Sequence, residues 1–292
     1  GRYLKNGNQG MSPDQKEYER QEEANEFLDA TALTLDTDWA PDAAIDEIAK
    51  ILVSREVRAT WFVTHDSPAI RRLQEHPELF EIGIHPNFLP GSTHGHNPEQ
   101  VLDFCQALVP SATSMRTHGL FQYTNLLNMV MKKTRIRVDV SLFLPAYPVP
   151  RPFVHPTEHG GLIRVPYVWE DDFEMLHTIP DFEPGKAFFQ RSGLLVLDYH
   201  PIHVYLNSRN MAPYREMLAS GGYRLDMPAS GMDEYVNKEV AGVMDHFMRL
   251  VESLALSGGG ERISDIALNW AGKWRNNGGG EVSGNGFLGV EP

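Results

Sequence analysis

Short apolar runs alternate with amphipathic helical patterns along most of the chain. Residues 45, 48, 49 and 52 are apolar, and this i, i+3, i+4, i+7 spacing predicts one buried stripe on a helix over 42–54. The run Ala59–Thr64 is instead rich in β-branched and aromatic residues, which is typical of a strand. Strands that alternate with helices in this way favour a parallel sheet or a barrel.

The same reading predicts the bounds of the remaining elements. The strands are expected at Ala32–Leu35, Ala59–Thr64, Phe80–Ile84, Thr113–Arg116, Ile136–Phe143, Leu162–Trp169 and Leu194–Tyr199. The helices are expected at Asp42–Ser54, Pro68–Glu75, Pro98–Leu108, Tyr123–Lys133, Asp233–Leu256 and Ser264–Arg275. Asn97 before Pro98 is the pattern of an N-cap followed by a proline in the first turn.

The two ends of the chain lack this alternation. Residues 1–28 are polar and charged and are interpreted as a tail or a lead-in helix, and residues 276–292 form a Gly-rich C-terminal tail. The 292 residues leave room for one α/β barrel of roughly 250 residues between them. We therefore expect a single barrel domain over 29–275.

Composition narrows the possible partners and ligands. With 26 Lys and Arg against 39 Asp and Glu, the formal charge of −13 disfavours nucleic acid and anionic membrane as partners. A single cysteine, Cys105, excludes a disulfide framework and a cysteine-based zinc cluster, so a metal would need mainly nitrogen and oxygen ligands. No apolar run approaches the roughly 18 residues of a membrane span, and residues 1–26 do not read as a signal peptide, so a cytoplasmic protein is expected. The oligomeric state is left open.

Polar side chains follow the carboxyl ends of several predicted strands. They are Asp36 and Asp38, His85, Arg116 and His118, Glu170, and His200. In a (β/α) barrel these strand ends meet on one face, and active sites are built there. The sequence therefore predicts one site to which several strands contribute.

The two aspartates and nearby histidines suggest a metal centre. One of Asp36 and Asp38 can bind an ion while the other takes a proton from water. Together with His85 and one of His94 or His96, the set offers two nitrogens and one oxygen, which suits Zn²⁺ or a similar divalent ion.

Other residues at the strand ends suggest supporting roles. Arg116 is suited to hold a carboxylate ionised, with Asp36 as its expected partner. Trp169 is either a wall of the pocket or core material. His200 or His203, when protonated, could donate to a leaving amine.

The order and character of these segments resemble the polysaccharide deacetylases of carbohydrate esterase family 4. Thr34–Asp38 is similar to the family's Thr-Phe-Asp-Asp motif with Thr37 set between the acids, and Val57–Val63 resembles its Ala-Thr-Phe-Phe strand. Glu81–His85 matches the start of its His-Ser/Thr-x-x-His motif, although Leu89 stands where the second histidine is expected. The segment ending at His200 resembles its Leu-x-Ile-His motif.

This resemblance, over about Ala32 to His203, implies a distorted (β/α) TIM-like barrel of seven or eight strands with assigned site residues. Asp36 is then the catalytic base, supported by Arg116, and His200 is the acid. Asp38 and His85 bind the metal, and an extended loop lets His94 supply the third ligand, with His96 as second choice. The substrate-binding residues are expected to be Trp169, His118, Phe88 and His203.

The resemblance implies a metal-dependent hydrolase that removes an acetyl group from an N-acetylated sugar or glycan, in bacterial cell-surface polysaccharide or O-antigen assembly. Zinc is the expected ion, and cobalt, manganese or nickel are the alternatives. A hydrolase of another linear or cyclic C–N amide bond on the same barrel is one alternative function. A non-catalytic carbohydrate-binding relative is the other.

Overall fold

The computed structural model describes residues 28–145, 147 and 150–276. The N-terminal tail or lead-in helix expected over 1–28 and the Gly-rich tail expected over 276–292 lie outside these residues, apart from one residue of each.

Nine strands form one curled sheet in this part of the chain. They are β1 (Ala30–Asp36), β2 (Ala59–Val63), β3 (Phe80–Ile84), β4 (Ser114–Met115), β5 (Val138–Asp139), β6 (Phe153–Thr157), β7 (Gly160–Arg164), β8 (Trp169–Glu170) and β9 (Leu194–Tyr199). Their order is β6-β7-β5-β4-β3-β2-β1-β9-β8, and every pair except the β6–β7 hairpin is parallel.

The segment 160–170 closes the curled sheet into a barrel. Its first part, β7, pairs with β5, and its last part, β8, pairs with β9. Between them, the Tyr167 amide donates to the Leu142 carbonyl at 3.0 Å, and the Val168 amide donates to the Val196 carbonyl at 3.0 Å. With β7 and β8 as one strand, the wall has seven parallel strands, which confirms the expected distorted (β/α) barrel.

The helices lie mainly outside this wall. They are α1 (Asp42–Ser54), α2 (Pro68–Leu73), α3 (Pro98–Leu108), α4 (Thr124–Lys133), α5 (Asp171–Glu174), α6 (Lys186–Phe189), α7 (Pro201–Tyr205), α8 (Ala212–Ala219), α9 (Ala229–Met232), α10 (Val243–Leu256) and α11 (Ile263–Asn276), with 3-10 turns at His118–Leu120 and Asp233–Tyr235. The predicted stripe on α1 is buried at Ile45, Ile48 and Leu52. Asn97 caps α3 as expected, because its side chain accepts a hydrogen bond from the Gln100 amide at 3.0 Å.

Some predicted bounds are wrong. The helix expected from Asp233 begins only at Val243, because the chain at Gly242 lies against Asn207 so closely that a Cβ atom there would meet the Asn207 carbonyl oxygen at 2.2 Å. The strand expected over Ile136–Phe143 is ladder-paired only at β5, with an isolated bridge from Phe143 to Tyr167. Strand β6 lies between the predicted strands Ile136–Phe143 and Leu162–Trp169, where the sequence predicts no element.

Two apolar layers hold the barrel together. Alternation along β1 directs Leu33 and Leu35 into the layer between the strands and the outer helices, and it directs Ala32 into the barrel interior. Helix α11 packs against the interior layer, and the Ile263 amide donates to Thr60 Oγ1 at 2.9 Å near the start of β2. The end where the strands begin is therefore closed by α11, and the end where they finish is left for the polar residues.

None of the helices in the described residues has both the length and the apolar character needed to cross a membrane. The cytoplasmic location expected from the sequence stays a prediction.

Candidate active site and metal centre

Five strand ends bring the predicted polar residues to one face of the barrel. Asp36 is the last residue of β1, His85 follows β3, Arg116 follows β4, and His200 follows β9. Glu170 is the last residue of β8, next to β9 in the sheet. Parallel strands carry their carboxyl ends to the same edge, so residues up to 164 positions apart in sequence become neighbours.

A tight turn after β1 places Asp38. The Ala40 amide donates to the Thr37 carbonyl at 2.7 Å, and both central residues have left-handed backbones, with φ of 40° at Asp38 and 56° at Trp39. Left-handed backbone costs energy for residues other than glycine and persists only where neighbouring contacts hold it. Thr64 provides such a contact, because its Oγ1 accepts a hydrogen bond from the Trp39 amide at 3.0 Å.

Asp38, His85 and His118 bring three potential ligand atoms together. Asp38 Oδ1 lies 3.1 Å from His85 Nε2 and 3.2 Å from His118 Nδ1, and these two nitrogens are 3.3 Å apart. Burial alone would raise the pKa of Asp38, but hydrogen bonds from the surrounding histidines hold it well below its usual value. Two imidazoles and one carboxylate form a donor set that suits a divalent transition metal.

The orientation of His85 fits metal binding as well. Its Nδ1 is buried without a hydrogen-bond partner and faces Asp36 Oδ2 at 3.5 Å. A proton on Nδ1 directed at that carboxylate leaves the Nε2 lone pair facing Asp38 and His118, which is the tautomer that a metal-binding imidazole needs. The residues present therefore fit the metal that the family resemblance implies.

The third ligand expected from the sequence, His94, is not part of this group, and this expectation is corrected. Its Nε2 donates to the Thr64 carbonyl at 2.7 Å, and its Nδ1 accepts from the Asn87 amide at 3.1 Å. Both ring nitrogens are thus engaged by backbone, and the ring stacks on Phe104 at 4.8 Å. The second choice, His96, is exposed. His118, which was expected to contact substrate, instead lies with Asp38 and His85.

Arg116 contacts the expected base as predicted. Its Nη1 donates to Asp36 Oδ1 at 2.9 Å, and the same nitrogen also donates to Asp198 Oδ1. The guanidinium is buried, which opposes its charge, but Asp198 and Asp36 together raise the pKa of Arg116 above its usual value. Burial in turn raises the pKa of Asp198 well above its usual value. Asp36 is therefore held by a permanently charged partner inside the barrel.

His200 lies beside Asp38 and is hydrogen-bonded to a second acid, Asp171. Its Nδ1 donates to Asp171 Oδ1 at 2.7 Å, its amide donates to Asp171 Oδ2 at 2.8 Å, and its Nε2 lies 3.5 Å from Asp38 Oδ2. Burial opposes a charged ring, yet Asp172 and Asp171 raise the pKa of His200 well above its usual value. The ring is thus suited to carry a proton at the site.

His203, the alternative acid, is less free than His200. Its Nδ1 lies 3.2 Å from Ser208 Oγ, and its Nε2 lies 3.1 Å from Asp172 Oδ1. The ring is buried, and both of its nitrogens already have partners, so its geometry is that of a support for Asp172.

Two of the expected substrate-binding residues have different surroundings. Trp169 belongs to the outer apolar layer, where its ring stacks on His246 with centroids 3.9 Å apart, and the expected pocket wall is corrected to core material. Tyr167, two residues earlier, belongs to the interior layer, so the alternation of a regular strand is broken between these two residues. Phe88 is half-buried beside Phe121, with ring centroids 6.4 Å apart, on the loop that follows His85.

The sequence reading did not assign roles to Asp171 and Asp198. Asp171 stands in the acidic run 170–172, where nothing in the sequence separates it from its neighbours. Asp198 carried a usable signal, because a charged residue inside the apolar run Leu194–Tyr199 must have a partner if it is buried.

Comparison with known proteins identifies a family. Residues 33–218 match the family described as WbmS-like polysaccharide deacetylase. A Bordetella bronchiseptica protein, described as a polysaccharide deacetylase involved in O-antigen biosynthesis, has a similar crystal structure. It shows 33% sequence identity and a TM-score of 0.67 over 76% of this chain and 89% of that one. No curated protein sequence matches the chain.

Two further solved structures are more remotely similar. The peptidoglycan deacetylase PdaC of Bacillus subtilis has 15% identity and a TM-score of 0.41 over 86% of this chain and 94% of its own. A family 4 carbohydrate esterase of Streptomyces lividans has 14% identity and a TM-score of 0.37 over 79% of this chain and 90% of its own. The family match and the Bordetella structure are sufficient by themselves: the chain belongs to the WbmS-like polysaccharide deacetylases, hydrolases that act on carbon–nitrogen bonds.

Proposed function

We propose that this protein is a metal-dependent deacetylase that removes the acetyl group from an N-acetylated sugar of a cell-surface polysaccharide. The observation that carries the proposal is the meeting of Asp38, His85 and His118, with a candidate base, Asp36, 3.5 Å from His85 and a candidate acid, His200, 3.5 Å from Asp38. The Bordetella relative, described as involved in O-antigen biosynthesis, supports this class of substrate.

The three proposed ligands are Asp38, His85 and His118, with zinc the expected ion and cobalt, manganese or nickel the alternatives. A bound divalent ion would polarise the amide carbonyl and make water more acidic. The pocket then needs one group that takes a proton and one that gives a proton.

Asp36 is placed to take the proton of the attacking water. Its Oδ1 accepts a hydrogen bond from Arg116 at 2.9 Å, while Oδ2 lies 3.5 Å from His85 Nδ1 and makes no closer polar contact within the described residues. His200 is placed to protonate the departing amine, because Asp171 fixes its Nδ1 and leaves Nε2 facing the site. Both roles use side chains that are already oriented before substrate arrives.

Amine release from N-acetylated sugars tests the function. The zinc-loaded protein should release amine, and removal of the ion with a chelator should abolish release until zinc is returned. Asp36→Asn should bind zinc as the wild type does and should lose about 10²–10⁴-fold in kcat, since general base catalysis contributes that much. Asp38→Ala should lose both the ion and the activity.

Two results would contradict the proposal. Full turnover by Asp36→Asn would show that another group is the base. Binding of N-acetylated sugars by the zinc-loaded wild type without amine release would support the non-catalytic alternative, and release from other linear or cyclic amides alone would support the other hydrolase.

A further inference from the structure

Asp198 is a buried acid that the proposed reaction does not use directly. It lies on β9 two residues before His200, and its side chain is completely inaccessible to solvent. A substrate in the pocket therefore cannot reach it. A buried carboxyl in an apolar strand is costly unless it has strong partners, so its retention inside the barrel needs a reason.

Asp198 forms a closed ring of hydrogen bonds with Thr34 and Arg116. Arg116 Nη1 donates to Asp198 Oδ1, and Arg116 Nη2 donates to Thr34 Oγ1 at 2.9 Å. Thr34 Oγ1 in turn lies 2.9 Å from both Asp198 Oδ1 and the Leu197 carbonyl oxygen, and donation of its one hydrogen to Asp198 closes the ring. The three residues come from β1, from the end of β4 and from β9, so the ring ties three separate parts of the barrel wall together.

The other contacts of the guanidinium leave it little freedom. Arg116 Nε donates to the Val140 carbonyl at 3.4 Å, and the two faces of the group lie against Phe62 and Tyr167 at 4.8 and 4.4 Å from the ring centroids. With one Nη1 hydrogen committed to Asp198, the other is directed at Asp36 Oδ1.

The number of contacts from Arg116 to Asp36 matters for the chemistry. A free guanidinium prefers to grip a carboxylate with two parallel N–H groups, one for each oxygen. That geometry would place a charged donor on both oxygens of Asp36 and would make each of them a weaker base. In the structure Arg116 instead contacts Asp36 through one hydrogen bond, from Nη1 to Oδ1.

We propose that Asp198 is a positioning residue that holds Arg116 in this single-contact geometry and thereby keeps the guanidinium away from Asp36 Oδ2, the oxygen that acts as the base. The inference rests on the proposed function for its catalytic consequence, but the positioning itself is a property of the barrel interior. It does not depend on whether Asp198 carries a proton, because Oδ1 is the accepting atom and the buried Oδ2 has no partner.

Asp198→Ala removes the acceptor, and Asp198→Asn keeps an oxygen in the same place. We expect the arginine Nη protons of Arg116 to give slowly exchanging NMR signals in the wild-type protein, because hindered rotation and hydrogen bonding protect them. The signals should be lost in Asp198→Ala and partly retained in Asp198→Asn.

A second buried pair supplies the matched control. Asp139 is as inaccessible as Asp198 and lies 2.5 Å from Arg164 Nε between β5 and β7, without contact to Asp36. Asp139→Asn should disturb the signals of Arg164 and leave those of Arg116 unchanged. Unchanged Arg116 signals in Asp198→Ala would overturn the positioning role.

Kinetics test the consequence for the base. Asp198→Ala should lose about 10–100-fold in kcat, which is the usual cost of removing a residue that supports a directly acting one. Its KM and zinc content should stay close to wild type. Asp198→Asn should recover part of the loss. In an Asp36→Asn background, Asp198→Ala should cost nothing further, because the residue through which it acts is already gone.

The outcomes separate this proposal from the proposed function. If the wild type releases no amine, the proposed function fails, and the NMR comparison still decides whether Asp198 holds Arg116. If the wild type is active and the two substitutions act additively, Asp198 does not act through Asp36 and the proposal is wrong. Should Asp198→Ala not fold, Thr34→Val breaks the same ring from β1 and should change kcat and the Arg116 signals in the same direction.

Discussion

The proposed choice of His118 over His94 as third ligand rests on what their ring nitrogens contact. His118 presents Nδ1 to Asp38 and His85, whereas both nitrogens of His94 are occupied by backbone groups. His118→Ala should therefore weaken zinc binding by more than the roughly 10–100-fold expected for loss of an outer support. His94→Ala should weaken it by no more than that. Titration against a chromophoric chelator measures both, and equal losses from the two substitutions would contradict the assignment.

A second prediction at this scale concerns the partner of the proposed acid. Asp171→Asn leaves a side chain of the same shape but removes the charge that orients and stabilises protonated His200. We expect kcat to fall by about 10²–10⁴-fold with zinc content unchanged, because the donor of the proton would be disabled. Glu174→Gln, on the same short helix and away from His200, is the control and should keep wild-type kcat. Wild-type kcat in Asp171→Asn would exclude His200 as the acid.

Much of the site could be predicted from the sequence, because a polar residue directly after an apolar run marks the end of a buried strand. An apolar run that stops at a polar residue identified Asp36, His85, Arg116 and His200 in their observed places. The place of His118, proposed here as the third ligand, was not predicted for a physical reason: β4 lies beside β3 in the sheet, so His118 reaches His85 across the strand order although 33 positions separate them.

At the scale of elements, apolar periodicity predicted the long segments and failed at the short ones. Helix α1 and strand β9 carry their full pattern within one element. Strands β4 and β5 have two ladder-paired residues each, too few for a period of two to be seen, and their place is set by neighbouring strands. The break between β7 and β8 depends likewise on two different partner strands, which no local pattern reveals.

Close packing between β2, β3 and β4 gives a prediction about one glycine. A Cβ atom at Gly83 would lie 2.7 Å from the Phe62 ring and 2.8 Å from Ser114 Oγ. Gly83→Ala should therefore lower the free energy of unfolding by about 1–3 kcal/mol, as overpacking does, and should lower kcat because Phe62 supports the Arg116 guanidinium. Urea unfolding and amine release measure the two effects.

The control for that substitution lies on α11. A Cβ atom at Gly272 would meet nothing within 4 Å, and the residue is inside a helix. Gly272→Ala should raise the free energy of unfolding by about 0.5–1 kcal/mol and leave kcat unchanged. A Gly83→Ala protein as stable as this control would show that the interior of the barrel is less tightly packed than the structure indicates.

At the scale of the whole molecule, the barrel wall and the outer helices meet around a buried histidine. His246 on α10 is inaccessible to solvent, its Nδ1 lies 2.8 Å from the Tyr199 hydroxyl, and its ring stacks on Trp169. Burial lowers the pKa of His246 to about 3. The ring is thus neutral in the folded protein and takes up a proton near pH 6.5 once the chain unfolds.

This difference makes the stability of the fold depend on pH in a direction that can be worked out. Because the unfolded chain binds the proton more tightly, stability from this residue is complete above about pH 6.5 and is lost steadily as the pH falls towards 3. Between pH 7 and pH 5 the free energy of unfolding falls by about 2 kcal/mol because of this residue.

His246→Phe keeps the stacked ring and removes the titrating group. Its free energy of unfolding should therefore fall by about 2 kcal/mol less over that interval than that of the wild type. Exposed His159→Gln should keep the wild-type slope. Urea unfolding at the two pH values, with chelator in every sample so that ion release does not contribute, gives the comparison. Equal slopes for wild type and His246→Phe would mean that the ring is already protonated, or solvated, in the folded barrel.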